Sequence, residues 1–581
     1  MDRATPTNAE IEAVVRAYLG RVARRYLPLL AGAIVLLLVV VLVPTATPRN
    51  DDQADTAGGA LGQQPGTTTG AVGAPNSPGV APAGGAAAVS GGASVGGVPG
   101  GGASGGVPAG PVAPSTGGVA RSGVHCGPGK KQVTWSVYAP PCVAKYTGSN
   151  GGATTRGVTG STITLSYRVT HSADDAAISA ATGSAAPPSD SSYVADLNTY
   201  INYFNSQFEL YGRRVVVKTY NGQGDYIQED QGQGADVAQS DAATAHSLDA
   251  FGDVTFQLRG SNPYWTALAQ QRIVAWGPLG FPTSYYQRYA PYWWSYTPSG
   301  SSEAAWFGNL TCRRMAGMNA IFAPNVTYQN ETRKFGLIHP DNPEYVAVAN
   351  DLKQRLKACG VALTKEASYS INVAQYQTEA TNVMAQMQSA GVTTVLCYCD
   401  PVVPIFLANA AQSQQYKPEW VQPYWGDPQA RQPDNGNWQG VITSGGQWPA
   451  QSANEAYKVF KMASGGAEPQ EKYFAAAYAT LMQVYMGLQS AGPMLTPQNL
   501  QRGYQSLPPT GASTAGQWTF SGVHAFTPQS TAEVGWFDPK YTSNFDGADG
   551  GYRNCDSGRF FAYADEASWG GPRLQMHCFG K

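Results

Sequence analysis

The sequence predicts an α/β protein with two lobes of parallel sheet, preceded by a single transmembrane helix and a long linker. Three observations carry this reading. Apolar segments of strand length alternate with segments of helical periodicity, which argues for parallel sheets covered on both faces. The alternation occurs twice, before and after Pro298, and 581 residues are too many for one core. Glycine and proline are abundant, 68 and 40 residues, but cluster in one tract ahead of both sets.

At the N-terminus, residues 27–43 read LPLLAGAIVLLLVVVLV without a charge, between Tyr26 and Pro44. That is close to the roughly 20 residues that span a bilayer. Arg16, Arg21, Arg24 and Arg25 precede the run, and Asp51, Asp52 and Asp55 follow it. The basic side stays inside, so the bulk of the chain is expected outside the cell. A cleaved secretory signal is the rival reading, disfavoured by the long leader and the poor cleavage site VPTATP. Residues 1–25 then form a cytoplasmic segment, 26–46 the membrane helix and 47–122 a disordered Gly/Ala/Pro/Ser linker too poor in large apolar residues to bury a core. A disulfide-stapled extension is expected at 123–156, a two-lobed domain at 157–545 and a C-terminal extension at 546–581.

In the first set, Ser161–Arg168 reads as a strand. Val194, Leu197, Ile201, Phe204 and Phe208 recur at helical spacing, and Arg214–Tyr220 is a second strand. DVTFQL and RIVAW are the third and fourth strands, with a helix between them at Asn262–Gln271. In the second set, a helix at Trp306–Ala316 leads to the strand KFGLIH. A helix with Val348, Leu352, Leu356 and Cys359 on one face follows, then a strand in VALTKEAS and a helix through Val383, Met384 and Met387. The strand of GVTTVLCYCDP and a helix through Phe406, Leu407 and Ala411 complete it. A long helix at Glu471–Ala491 comes next, and GQWTFSG and AEVGWFDP are expected to pair as strands.

A net charge of −2 with 13% charged residues offers no electrostatic reason to bind nucleic acid. Eight cysteines in an exported chain suggest disulfides. Cys126 and Cys142 bracket a short loop, Cys555 and Cys578 bracket the tail, and Cys312 and Cys359 lie on predicted helices. Spacing alone leaves the connectivity open. Cys397 and Cys399 are read as separate residues on opposite faces, one of them in the core. No pair has C-x-x-C spacing, so neither a metal nor a cofactor is expected. The six histidines are dispersed and form no catalytic motif, so the chain is not expected to be an enzyme.

In open parallel sheets ligands bind beyond the carboxyl ends of the strands. Tyr398, Cys399 and Asp400 stand at such an end, as do His339, Asp341 and Tyr345. So do the segments WGPLGFPTSYY and LRGSNPYW. The order RIVAWGPLGFP, RKFGLIHPDNPEY, LKACGV, GVTTVLCYCDPVVPIFLANAA and YKPEW, followed by a Tyr/Ala-rich helix, resembles the type I periplasmic binding proteins. Within them the likeness is to the leucine/branched-chain amino acid substrate-binding proteins of ABC transporters, and it spans Gly157 to Pro539. The resemblance implies two Rossmann-like lobes joined by three crossovers and closing on a small solute. It implies that Ser261 and Asn262 meet a ligand carboxylate, and that Pro278, Leu279 and Gly280 contribute backbone. Tyr345 would supply an aromatic face beside Asp341. Asp400, Tyr424 and Trp425 would complete the site, Asp400 as the acid for an ammonium group.

Other readings stand beside these. Asp400 precedes Pro401 and is equally placed to cap the next helix. Tyr345 can pack on its helix start. The run YYQRYAPYWWSY is better suited to packing than to stacking on a ligand. The function implied is a membrane-anchored extracellular binding protein for a small polar, amino-acid-like solute, serving an ABC permease. The alternative is a sensor or cell-envelope scaffold that uses the same fold to bind a partner protein.

Overall fold

The structure, a computed structural model, describes residues 110–181, 189–422, 426–432, 441–443, 449–513, 515–571 and 576–578. The expected cytoplasmic segment, membrane helix and most of the linker lie outside these residues, as do Tyr424 and Trp425. Among the described residues no helix is long and apolar enough to cross a membrane.

Lobe 1 is built on β1 (Thr162–Val169), β2 (Arg214–Asn221), β3 (Gly252–Asp253) and β4 (Val274–Ala275), all parallel, in the order β2-β1-β3-β4. β3 and β4 are shorter than the apolar runs that announce them. The chain leaves the ladder after Asp253, whose carboxylate accepts from Ser166 Oγ (2.6 Å) and Tyr264 Oη (2.9 Å). Helix Asp190–Gln207 buries Leu197, Tyr200, Ile201 and Phe204 against this sheet's core, as its spacing predicts.

Lobe 2 carries β5 (Phe335–Pro340), β6 (Leu363–Tyr369), β7 (Thr394–Cys397), β8 (Glu419–Gln422) and β9 (Val441–Thr443) in the parallel order β6-β5-β7-β8-β9. β5 and β7 are buried throughout, the expected pattern for central parallel strands. The hairpin β10 (Thr510–Ala512) and β11 (Gly516–Trp518) and the short pair β12 (Thr531–Ala532) and β15 (Phe561–Ala562) lie outside both sheets. β13 (Gly535–Thr542) joins β9 antiparallel, and β14 (Asp549–Asn554) pairs with β13 to form the sheet edge. The strands of GQWTFSG and AEVGWFDP therefore do not pair with each other. The boundary expected at residue 545 falls inside the β13–β14 hairpin. The two lobes thus repeat one strand order: second, first, third, fourth.

The chain crosses between lobes three times. It passes after β4 into helix Gly300–Leu310, returns after β9 to helices Glu455–Ala463, Phe474–Ala491 and Pro497–Gln505, and crosses again after β11. The first helix starts at Gly300 rather than Trp306 and ends in one wide turn, Thr311–Met315.

The packed N-terminal extension begins at least as early as residue 110, so the end of the linker comes before residue 122. Val112 N–H donates to Ser490 O (3.2 Å), Ser115 N–H donates to Cys142 O (2.9 Å), and Ala120 is fully buried. Glu455 then clasps the extension to lobe 1, accepting from Ser136 Oγ (2.7 Å) and the Val137 amide (3.1 Å). At the other end, Trp569 stacks on Phe561 at 4.5 Å beside the Cys555–Cys578 bridge.

All eight cysteines are paired: Cys126–Cys142, Cys312–Cys359, Cys397–Cys399 and Cys555–Cys578. The reading of Cys397 and Cys399 on opposite faces is corrected. Residues two apart on a strand point the same way, which brings both sulfurs together. Loop-closure entropy ranks the bridges: about 4 kcal/mol for the 47-residue separation of Cys312–Cys359, against about 1.5 kcal/mol for a loop as short as Cys397–Cys399. Serine pairs at these two positions are expected to lower the denaturant midpoint in that ratio. Equal losses would contradict the ranking.

Candidate functional site

In each lobe the strand order reverses between the first and third strands, β1/β3 and β5/β7, and the crevice beyond the carboxyl ends there is where open α/β sheets bind ligands. In lobe 1 that position is filled by the protein itself. Arg168, fully buried at the end of β1, pairs with Glu229 at 2.7 Å and Asp241 at 3.0 Å and lies 4.4 Å over the Tyr264 ring. Gly222 and Gly224 sit against this group so closely that a Cβ on either would strike Arg168.

This network absorbs the residues expected to hold a carboxylate. Ser261 Oγ donates to Glu229 and accepts from Tyr264 N–H (3.2 Å), which makes it the N-cap of helix Asn262–Gln270. The Asn262 amide donates to Asp230 (2.9 Å), and its side chain accepts from Thr266 (3.3 Å). Ser261 and Asn262 are thus both hydrogen-bonded within the protein. Pro278 O accepts from Tyr286 Oη (2.9 Å), and half-buried Leu279 packs on the lobe 1 core. Within YYQRYAPYWWSY, Tyr286, Trp293 and Trp294 are buried, so that run packs the lobe.

In lobe 2, the His339 imidazole is turned to Glu366 (3.1 Å) on β6, and Asp341 is exposed. Asp400 is buried and committed. It accepts from Tyr369 Oη (2.7 Å) and from the amides of Val402 (2.8 Å) and Val403 (3.2 Å). The two amides take its Oδ1 and the Tyr369 hydroxyl its Oδ2. Burial nonetheless holds its pKa above the usual range, even with these donors.

The lobes meet through other residues. Tyr398 Oη, beyond β7, donates to Gly280 O of lobe 1 at 3.1 Å. Asn342 Nδ2 donates to Asp230 O at 3.2 Å, while its Oδ1 is buried with no hydrogen-bond partner. Tyr345, half-buried, lies 5.5 Å from the Tyr398 ring. Its phenol is pushed up by burial and by the charges of Asp400, Asp230, Glu344 and Glu303.

Burial raises three of those carboxyls: Asp230 to about 7 against the Asn262 amide and the Arg168 charge, Glu303 to about 8 against the Tyr398 hydroxyl, and Glu344 in the same direction. Among the described residues no ion pair involves Asp230, Glu303, Glu344 or Asp400. Sequence reasoning missed Asp230, Glu303, Asn342 and Glu344, since each reads locally as a helix-end residue. Glu303 ionises less readily folded than unfolded, so stability falls as pH rises from the ordinary glutamate range through about 8. Glu303→Gln is expected to remove part of that decline and to be more stable than the parent at pH 8.5. Thermal unfolding across pH checks this, and a variant no more stable at pH 8.5 would contradict it.

Two surface hollows lie away from this boundary. One, of about 350 Å³, is lined by the extension around Lys130 and Trp135; the other, of about 610 Å³, lies between β6 and Lys353–Gly360.

Two α/β lobes of like strand order, joined by three crossovers and meeting at their strand ends, define a bilobal ligand-binding protein. A family model described as periplasmic binding protein matches residues 176–532. The chain belongs to that family, the type I periplasmic binding proteins. Among solved structures it is similar to an ABC transporter substrate-binding protein from Aeropyrum pernix (10% identity, 70% of this chain and 98% of that one, TM-score 0.49). It is also similar to a leucine-, isoleucine-, valine-, threonine- and alanine-binding protein from Brucella ovis (13%, 70% and 96%, TM-score 0.47). A third is a fatty acid ABC transporter substrate-binding protein from Thermomonospora curvata (12%, 74% and 99%, TM-score 0.49). No curated protein matches the chain.

Proposed function

We propose that the chain is a membrane-tethered extracellular solute-binding protein that closes its lobes on a small polar solute bearing a cationic nitrogen and presents it to an ABC permease. One observation carries the ligand class: Asp230 and Glu344, half-buried, and Glu303, buried, are held toward their neutral forms at the lobe boundary, and among the described residues none of them is in an ion pair. Burying unpaired acids is costly, and an ammonium or guanidinium group relieves that cost through charge-assisted hydrogen bonds and contact with phenol faces. The carboxylate pocket of amino-acid binders has its counterpart here filled by Arg168 and Glu229, which favours an amine without a carboxylate over leucine-like solutes. The tether follows from the uncharged run at 27–43 and the linker after it. The scaffold reading retains one supporting observation, the direct hydrogen bonds between lobes.

A cation favours the ionised acids, so binding should release protons and strengthen as pH rises through about 7 to 8. Calorimetry of the full chain with diamines, guanidinium compounds and quaternary amines at pH 5.5 and 8.5 tests this. Tighter binding at pH 8.5 is expected. Equal or tighter binding at pH 5.5 would overturn the assignment of these carboxyls.

A further inference from the structure

We propose that the Cys397–Cys399 disulfide is a positioning element for Tyr398, a residue through which lobe 2 grips lobe 1. The inference rests on reading the lobe boundary as a closing cleft. The two sulfurs flank Tyr398 at a sequence separation of 2. The ladder of β7 ends here: Leu396 is its last partner on β8, and Cys397 its last on β5. One further bond, from Tyr398 N–H to Ile338 O (3.0 Å), holds the strand before it turns away to Asp400. A strand end that has lost one neighbour frays unless something restrains it.

The bridge supplies that restraint. It closes the shortest loop of the four, so its contribution to global stability is the smallest and its effect is local. Side chains alternate across a strand, so both sulfurs lie on the face packed with Ile338 and Val395 while Tyr398 points to the other, toward Phe307 and Tyr345. The ring therefore fixes the backbone from which the hydroxyl spans 3.1 Å to Gly280 O. Cys397 is fully buried and Cys399 partly exposed, so a dithiol reaches the bridge at Cys399. Its thiolate would attack Cys399 Sγ and displace Cys397 as thiolate. The reagent's second thiol would then close its own disulfide, leaving two protein thiols.

Hydrogen exchange of the full chain without solute tests this, so a failed solute search leaves the result interpretable. C397S/C399S is expected to speed exchange at least threefold in segments 276–284 and 300–304. Tyr398→Phe should do the same, and combining the changes should add nothing. C126S/C142S should leave those segments unchanged. Faster exchange confined to 394–413, or additive effects in the combination, would overturn the proposal. Should C397S/C399S not accumulate, dithiothreitol on the parent chain must produce the same change at 276–284; unchanged exchange there would equally overturn it.

Discussion

Arg168→Met is expected to destabilise the chain by about 3–5 kcal/mol, the range for removing one partner from a buried ion pair. Arg168 and both its acids are almost wholly buried, at 0%, 1% and 3% side-chain exposure for Arg168, Glu229 and Asp241. Methionine fills much of the volume but leaves two carboxylates without a counter-charge. Adding Glu229→Gln and Asp241→Asn should recover much of the loss, because the uncompensated charge is what costs most. Denaturant titration of the three variants checks both statements. A loss below about 1 kcal/mol for Arg168→Met would mean water or another cation reaches the site.

Gly300→Val is expected to hold the lobes apart and weaken solute binding at least tenfold, equivalent to about 1.4 kcal/mol. A Cβ on Gly300 would meet the Gly280 carbonyl oxygen on one side, and Val348 and the Tyr398 hydroxyl on the other, the last at 2.8 Å. Gly280 belongs to lobe 1, and the other two to lobe 2. Relief by local repacking would cost about 1–3 kcal/mol of stability. Relief by opening would leave stability nearly intact and enlarge the scattering radius. The second outcome is expected, since the side-chain bonds Tyr398–Gly280 and Asn342–Asp230 can part, while the Gly300 N–H to Phe281 O bond (2.9 Å) and the Thr283 amide to Ser301 Oγ bond (3.0 Å) lie at the crossover and can act as the pivot. A variant with unchanged radius and affinity would show that the boundary does not move.

Much of the architecture was legible because buried parallel strands read as continuous apolar runs and helices as stripes. Thr162–Val169, Phe335–Pro340 and Thr394–Cys397 all stand where those patterns place them. Pairing was less legible, because partners are chosen far along the chain: β13 inserts beside β9 rather than beside β11. The packed strap at 110–122 has linker composition, and composition does not report that Val112 and Ser115 find carbonyls on other segments. That Cys397 and Cys399 share a face was legible from the two-residue repeat of a strand, but their bond was not.

The candidate site was the least legible part. Ser261 and Asp400 carry the residue types of ligand contacts and of helix caps alike; in the structure Ser261 caps its helix and Asp400 accepts from the amides of Val402 and Val403 at the start of the next. Glu303 sits in the first turn of a helix, an ordinary place for an acid. Its burial arises only where the crossover helix meets Tyr398, which no local pattern encodes. Asp230, Asn342 and Glu344 come together only when two lobes with more than a hundred residues between them are brought into contact.

The most direct test is calorimetric titration of the parent chain and of Glu303→Gln/Glu344→Gln with a series of aliphatic diamines, guanidinium compounds and quaternary amines, and with anionic solutes of matched size. At least one cationic solute should bind the parent, the anions should not, and the double variant should lose at least tenfold in affinity for that cation. Anions binding better than cations, or full affinity in the double variant, would contradict a cleft built around unpaired acids.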